Sequence, residues 1–118
     1  KMATAAEAAA EGGFADTLAD KVGDIRALVE NRLKGQEYDQ AKLSAWCDGI
    51  SRDCVTLLNE EDLSHKIVVH CAVVRKVPGA GYYASTACLW DNTSDGSRVV
   101  RWESDSLMCA VTIYGLAL

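Results

Sequence analysis

The chain has 118 residues, of which 49% are apolar, 7% aromatic and 25% charged, so it is one domain's worth of globular protein and not a disordered one. No run approaches the roughly 18 apolar residues of a membrane span, and a formal charge of −5 is the wrong sign for a face that grips nucleic-acid phosphates. A globule of this size hides roughly two-thirds of its unfolded surface, enough for a core without metal or disulfide staples.

Residues 1–13 are rich in Ala and Glu, end in Gly12-Gly13 and read as a flexible, solvated tail. Lys1 before Met2 reads as a non-native first residue, and no apolar leader segment follows it. Phe14, Leu18, Val22, Ile25, Val29 and Leu33 recur three or four apart, which predicts an amphipathic helix from Phe14 to Leu33. Acids gather early in it and bases late, as the helix dipole favours, and Gly35 stands where a left-handed cap is wanted. A second helix is predicted from Tyr38 to Leu58, with its stripe at Leu43, Trp46/Cys47, Ile50, Cys54 and Leu57/Leu58. Gly49 interrupts that stripe and marks close packing, and the short Gly-containing link sets the two helices antiparallel. Asn59 to Asp62 closes the helical half.

The period then changes from helix to strand. Ile67–Val77 is β-branched on both faces, Pro78-Gly79-Ala80-Gly81 is a turn, and Tyr82–Trp90 is a second strand. A polar loop over 91–96 leads to a third strand, Ser97–Glu103, and Ser104-Asp105-Ser106 turns into a fourth, Leu107–Leu116. Helices first and hairpins after predict an α+β fold with two antiparallel helices packed on a four-stranded antiparallel sheet. Residues 14–118 form that one domain.

Motifs with catalytic or cofactor chemistry fail on context. Gly79-Ala80-Gly81-Tyr82-Tyr83-Ala84 has the letters of a dinucleotide fingerprint, but a Pro-turn precedes it and a strand follows where a helix is needed. Asp91, Thr93, Asp95 and Gly96 brush against a calcium loop that lacks its third-position acid and its closing Glu, so they read as turn residues. His65 and His70 are the only histidines and tend to opposite faces of the sheet. Cys47, Cys54, Cys71, Cys88 and Cys109 are odd in number, show no C-x-x-C spacing and sit in apolar patterns, as reduced thiols serving as small hydrophobes do. A His70–cysteine nucleophile pair is the rival reading. No catalytic residue, cofactor or metal ligand is assigned.

The segment Tyr82, Tyr83, Ala84, Ser85, Thr86, Ala87, Cys88 stands out for a different reason. Its middle is small and uncharged, and no Lys or Pro guards it against pairing. Such a strand is either central in its own sheet or meant to pair with another chain, by strand exchange or by peptide addition.

Cys88-Leu89-Trp90-Asp91, Ser94-Asp95-Gly96-Ser97, Val100-Arg101-Trp102-Glu103, Met108-Cys109 and Tyr114-Gly115-Leu116 follow Gly79-Ala80-Gly81 in an order and spacing that resemble the Tctex-type dynein light chains. The helix carrying Trp46 is similar too, and the resemblance covers about residues 14–118. It implies a non-catalytic subunit, two helices before four strands, and a dimer in which the second strand crosses to the partner's sheet. It also implies that the outer edge of Tyr82–Cys88 accepts an extended segment of a dynein intermediate chain. The partner in the dimer is a second copy or another Tctex-type light chain. Tyr83-Ala84 stands where cytoplasmic members usually carry a His-Thr step, which tilts the expectation towards a ciliary or flagellar axonemal dynein. Thr93 and Ser94, beside Asp91 and Asp95, form a candidate regulatory loop, because a phosphate there adds like charge to the carboxylates. The alternative function is a peptide-binding dimeric adaptor outside any motor.

Overall fold

The structure is a computed structural model that describes residues 2–4, 14, 18–61 and 64–118. Phe14 and Leu18 are helical, a 3-10 turn spans Ala19–Lys21, and helix α1 runs Val22–Leu33. Ile25, Val29 and Leu33 make its buried stripe, which Leu18 extends ahead of the 3-10 turn. Asp24 lies in its first turn and Arg32 in its last, each on the side the helix dipole favours. The helix ends where Gly35 takes φ +77°. The Lys34 N–H makes the last helical bond, to Glu30 O at 2.8 Å, and the left-handed step at Gly35 closes a turn in which the Gln36 N–H reaches Leu33 O at 3.0 Å. The stretch 15–17 of the predicted first helix lies outside the described residues.

The Asp39 side chain accepts from the Ala41 N–H at 3.0 Å and opens a 3-10 turn, Gln40–Lys42, that feeds helix α2, Leu43–Glu61. Trp46, Ile50, Cys54 and Leu58 are buried along one face of α2. Gly49 lies under the Arg32 guanidinium of α1, and Arg32 pairs with Asp53 at 3.0 Å. The missing side chain at 49 leaves room for the guanidinium to lie there. The ion pair itself is exposed and adds little stability.

The strands among the described residues are, in chain order, β1 (Met2–Thr4), β2 (His65–Arg75), β3 (Ala87–Leu89), β4 (Gly96–Glu103) and β5 (Leu107–Ala117). β2, β5 and β4 form one antiparallel sheet in that order, with β2 and β5 in register from His65↔Ala117 to Arg75↔Leu107. On the central β5, Leu107, Cys109, Val111 and Ile113 are buried against the helices, while Met108, Ala110, Thr112 and Tyr114 between them are only half-buried on the other face. α2 lies along β2 and α1 along β4. Phe14, 1% exposed, closes one end: its ring centroid is 4.9 Å from that of His65, and it covers Gly115 so tightly that a Cβ there would strike the ring.

The α+β architecture, two helices on an antiparallel sheet, is as expected. The fourth strand is not in that sheet. Of the predicted strand Tyr82–Trp90, only Ala87–Leu89 is regular, and it pairs with β1 in a separate two-stranded ladder. The physical reason is burial. Ala84, Ser85, Thr86 and Ala87 have too little apolar area to hold the segment on its own sheet, so its place depends on which backbone lies beside it. Residues 2–4, assigned to the tail, are strand β1, and the rest of the tail lies outside the described residues. No helix among the described residues is long and apolar enough to cross a membrane.

Candidate partner-binding strand

β2 ends in a turn built by Pro78 and Gly79. Gly79 takes φ +78° and the Ala80 N–H bonds Val77 O at 3.2 Å, a geometry that requires glycine at the third turn position. The chain leaves the turn in neither helix nor strand, and Tyr82 to Ala87 are all exposed, Tyr83 at 89%. It crosses the sheet face turned away from the helices. Between the 82–86 segment and Val68, His70 and Ala72 of β2, with Met108 and Thr112 of β5, lies a groove of about 730 Å³. Tyr114 O–H donates to Thr86 Oγ1 at 3.2 Å, and the Trp90 ring meets Tyr114 edge-on at 6.4 Å. The segment is thus tethered at its C-terminal end and open at its tyrosine end. Val68, 51% exposed, adds apolar surface to the groove.

The sheet has a matching open flank. β2 pairs with β5 on one edge, and no strand among the described residues runs along its other edge. Unpaired N–H and C=O groups there have the length and spacing to take a further strand. The exposure of Val68 and Leu89 was not legible before the chain was folded.

The loop after β3 is a self-contained knot of hydrogen bonds. Asp91 Oδ1 accepts from the Thr93 N–H at 2.9 Å and from Thr93 Oγ1 at 2.7 Å, and those bonds hold the Asp91 carboxyl below its usual range. Asp95, buried, accepts from the Asp91 N–H at 2.9 Å and from the Ala117 N–H at 2.7 Å, tying the loop to the end of β5. Both carboxylates are therefore engaged with the chain itself, which favours the turn reading over a calcium loop. His65 Nε2 lies 2.9 Å from Ser94 O, on the helix side of the sheet, whereas His70 is exposed in the groove on the other side. Replacing Asp95 with Ala strands two backbone donors and is expected to cost about 1–3 kcal/mol in a urea melt. A loss within experimental error would show that the loop is not pinned there.

The thiols are arranged for packing. Cys71 Sγ and Cys109 Sγ are 3.8 Å apart between β2 and β5, with Cys47 and Cys54 of α2 nearby. Burial pushes the Cys47 thiol up to about 11 and that of Cys54 up to about 12. The hydrogen bond with Cys109, followed by burial, raises Cys71 further. A thiolate nucleophile needs the opposite shift. Because the folded values are raised, the stabilisation is complete below the unfolded thiol value, about 8.5, and is lost as pH rises towards the folded ones. With a disulfide-exchange reagent near neutral pH, Cys88 is expected to react first and these four only on unfolding. Rapid native-state labelling of Cys71 would contradict this.

The Tctex-1 family model matches residues 18–116. The chain belongs to the Tctex-1 family. It is 33% identical over 94 residues to a dynein light chain Tctex-type of Drosophila melanogaster, covering 80% of this chain and 84% of the relative. Against the human dynein light chain Tctex-type 3 it is 32% identical over 94 residues, 80% of each chain. A Dictyostelium discoideum dynein light chain Tctex-type matches at 32% over 92 residues, 77% of this chain and 82% of the relative. The Tctex-1 match takes in both helices, the turn at 78–79, the open segment and every strand of the main sheet.

Proposed function

We propose that this Tctex-1 family chain is a non-catalytic light chain of a dynein motor, associated with the cytoskeleton. It dimerises by strand exchange and binds an extended segment of the dynein intermediate chain by β-strand addition. The observation that carries the reading is the pairing of two incomplete features: a β2 edge that, among the described residues, has no neighbouring strand, and an 82–88 segment lying outside the main sheet. Each supplies what the other lacks when a second copy, or another Tctex-type chain, is placed alongside. The segment's second flank then takes the target through main-chain hydrogen bonds, and neighbouring side chains select it. Two such flanks per dimer hold two intermediate chains, and the second binding event gains from proximity alone. Names of the relatives, all dynein light chains, support the motor assignment. Tyr83-Ala84 in place of a His-Thr step supports an axonemal motor over a cytoplasmic one. Purification of the tagged chain from native extract tests the motor reading against a dynein-independent adaptor: dynein heavy chains should accompany it, and their absence would overturn it.

Thr93 and Ser94 serve as a control point in this scheme. Thr93 donates its hydroxyl to Asp91 in a loop that leads directly out of β3. A phosphate there loses that donor and sets like charge against Asp91. Thr93→Glu and Ser94→Glu are expected to weaken binding of intermediate-chain peptide about threefold or more in a calorimetric titration. Unchanged affinity in both would remove the loop from the mechanism.

A further inference from the structure

We propose that β1 is a built-in competitor for the partner strand: residues 2–4 occupy the flank of β3 on which an intermediate-chain segment would be added. The inference rests on the strand-addition reading above. Its basis is the antiparallel register Met2↔Leu89, Ala3↔Cys88 and Thr4↔Ala87. One flank of a strand presents its N–H and C=O groups to a single neighbour, so a segment paired there excludes any other.

The tether makes this pairing effective. Phe14 is buried against Gly115 and His65, at the end of the sheet to which the loop from β3 returns through Asp95 and Ala117. Residues 5–13 join that anchor to β1, a span of up to about 33 Å at roughly 3.3–3.6 Å per residue. β1 and β3 belong to one chain, so their pairing is an intramolecular event that an added peptide must outcompete. Three residue pairs make a weak ladder, so β1 lowers the apparent affinity for a partner without abolishing it.

The addition flank is the contested one. Strand exchange along 82–88 would cover the exposed rings of Tyr82 and Tyr83 and the Val68 side chain, and three backbone pairs do not compete with that burial. Peptide addition relies on main-chain bonds, the same interaction β1 uses.

The test is Ala3→Pro in the full chain, a proline at the middle of the three residue pairs, opposite Cys88, where its fixed φ and missing N–H disfavour a strand. Synthetic peptides tiling the dynein intermediate chain serve as the probe. Amide exchange at Ala87–Leu89 should quicken, and peptide binding should tighten about two- to tenfold with dimer dissociation unchanged. Quickened exchange with unaltered peptide affinity would overturn the competition, and unaltered exchange would overturn the strap itself. A tighter dimer at constant peptide affinity would place β1 on the exchange flank and refute the assignment. If no peptide binds either protein, the strand-addition reading fails and the competitor with it, an outcome distinct from equal binding by both.

Discussion

Phe14→Ala is expected to lower the stability of the fold by about 3–5 kcal/mol, the range for emptying a large aromatic site in a core. Phe14 is the only phenylalanine in the chain and is 1% exposed. Its ring fills the end of the sheet between His65 on β2 and the bare backbone of Gly115 on β5. The site has little means of collapsing, because Gly115 carries no side chain to move into the space. The reverse change makes the same point. Gly115→Ala forces a methyl into the ring, and overpacking of this kind costs about 1–3 kcal/mol. In the double variant the smaller residue at 14 admits the methyl, so the combined loss should fall short of the sum by about 0.5 kcal/mol or more. Urea melts of the four proteins read this cycle directly. Additive losses would mean that the two positions do not touch.

Ser85→Pro is expected to weaken binding of the intermediate chain at least tenfold while leaving Lys42→Ala at wild-type affinity. Ser85 is exposed and lies in no helix or strand of its own chain, so proline there disturbs little of the folded protomer. Its N–H becomes a ladder donor only when another strand arrives, and proline removes that donor. A tenfold loss is about 1.4 kcal/mol, within reach of one charge-free hydrogen bond and its local distortion. Lys42 sits exposed in the 3-10 turn before α2 and does not line the groove. Calorimetry gives the affinity and sedimentation the mass. Where the Ser85 N–H faces the exchanged strand, loss of the dimer precedes loss of the target. Equal affinity and equal mass in both variants would contradict a partner strand along 82–88.

Much of the fold is written in local periodicity. The stripe Ile25, Val29, Leu33 and the stripe Trp46, Ile50, Cys54, Leu58 have helical spacing, and both are buried. Among the described residues, Gly35 and Gly79 stand where the backbone turns left-handed. Alternation along Leu107, Cys109, Val111 and Ile113 identifies the inner face of the central strand. The Tyr82–Cys88 stretch was legible as unguarded, since that depends only on residue type. Its place was not legible. Small side chains leave no burial pattern, and the candidate site is defined by what pairs with it rather than by what it buries. Asp95 read as an ordinary turn residue, because its second acceptor contact, with Ala117, lies 22 residues away in sequence.

By itself, then, the order of residues determined the helices, the alternation of the strands, the turns and the kinship with the Tctex-1 family, because each depends on neighbours within a few positions or on a string of matching residues. Only the tertiary structure decided that Phe14 rests on Gly115, that β3 stands apart from the main sheet, and that residues 2–4 lie alongside it. Those contacts join segments far apart along the chain. They arise from shape and from backbone hydrogen bonds, which any residue but proline can donate, and no periodicity announces them.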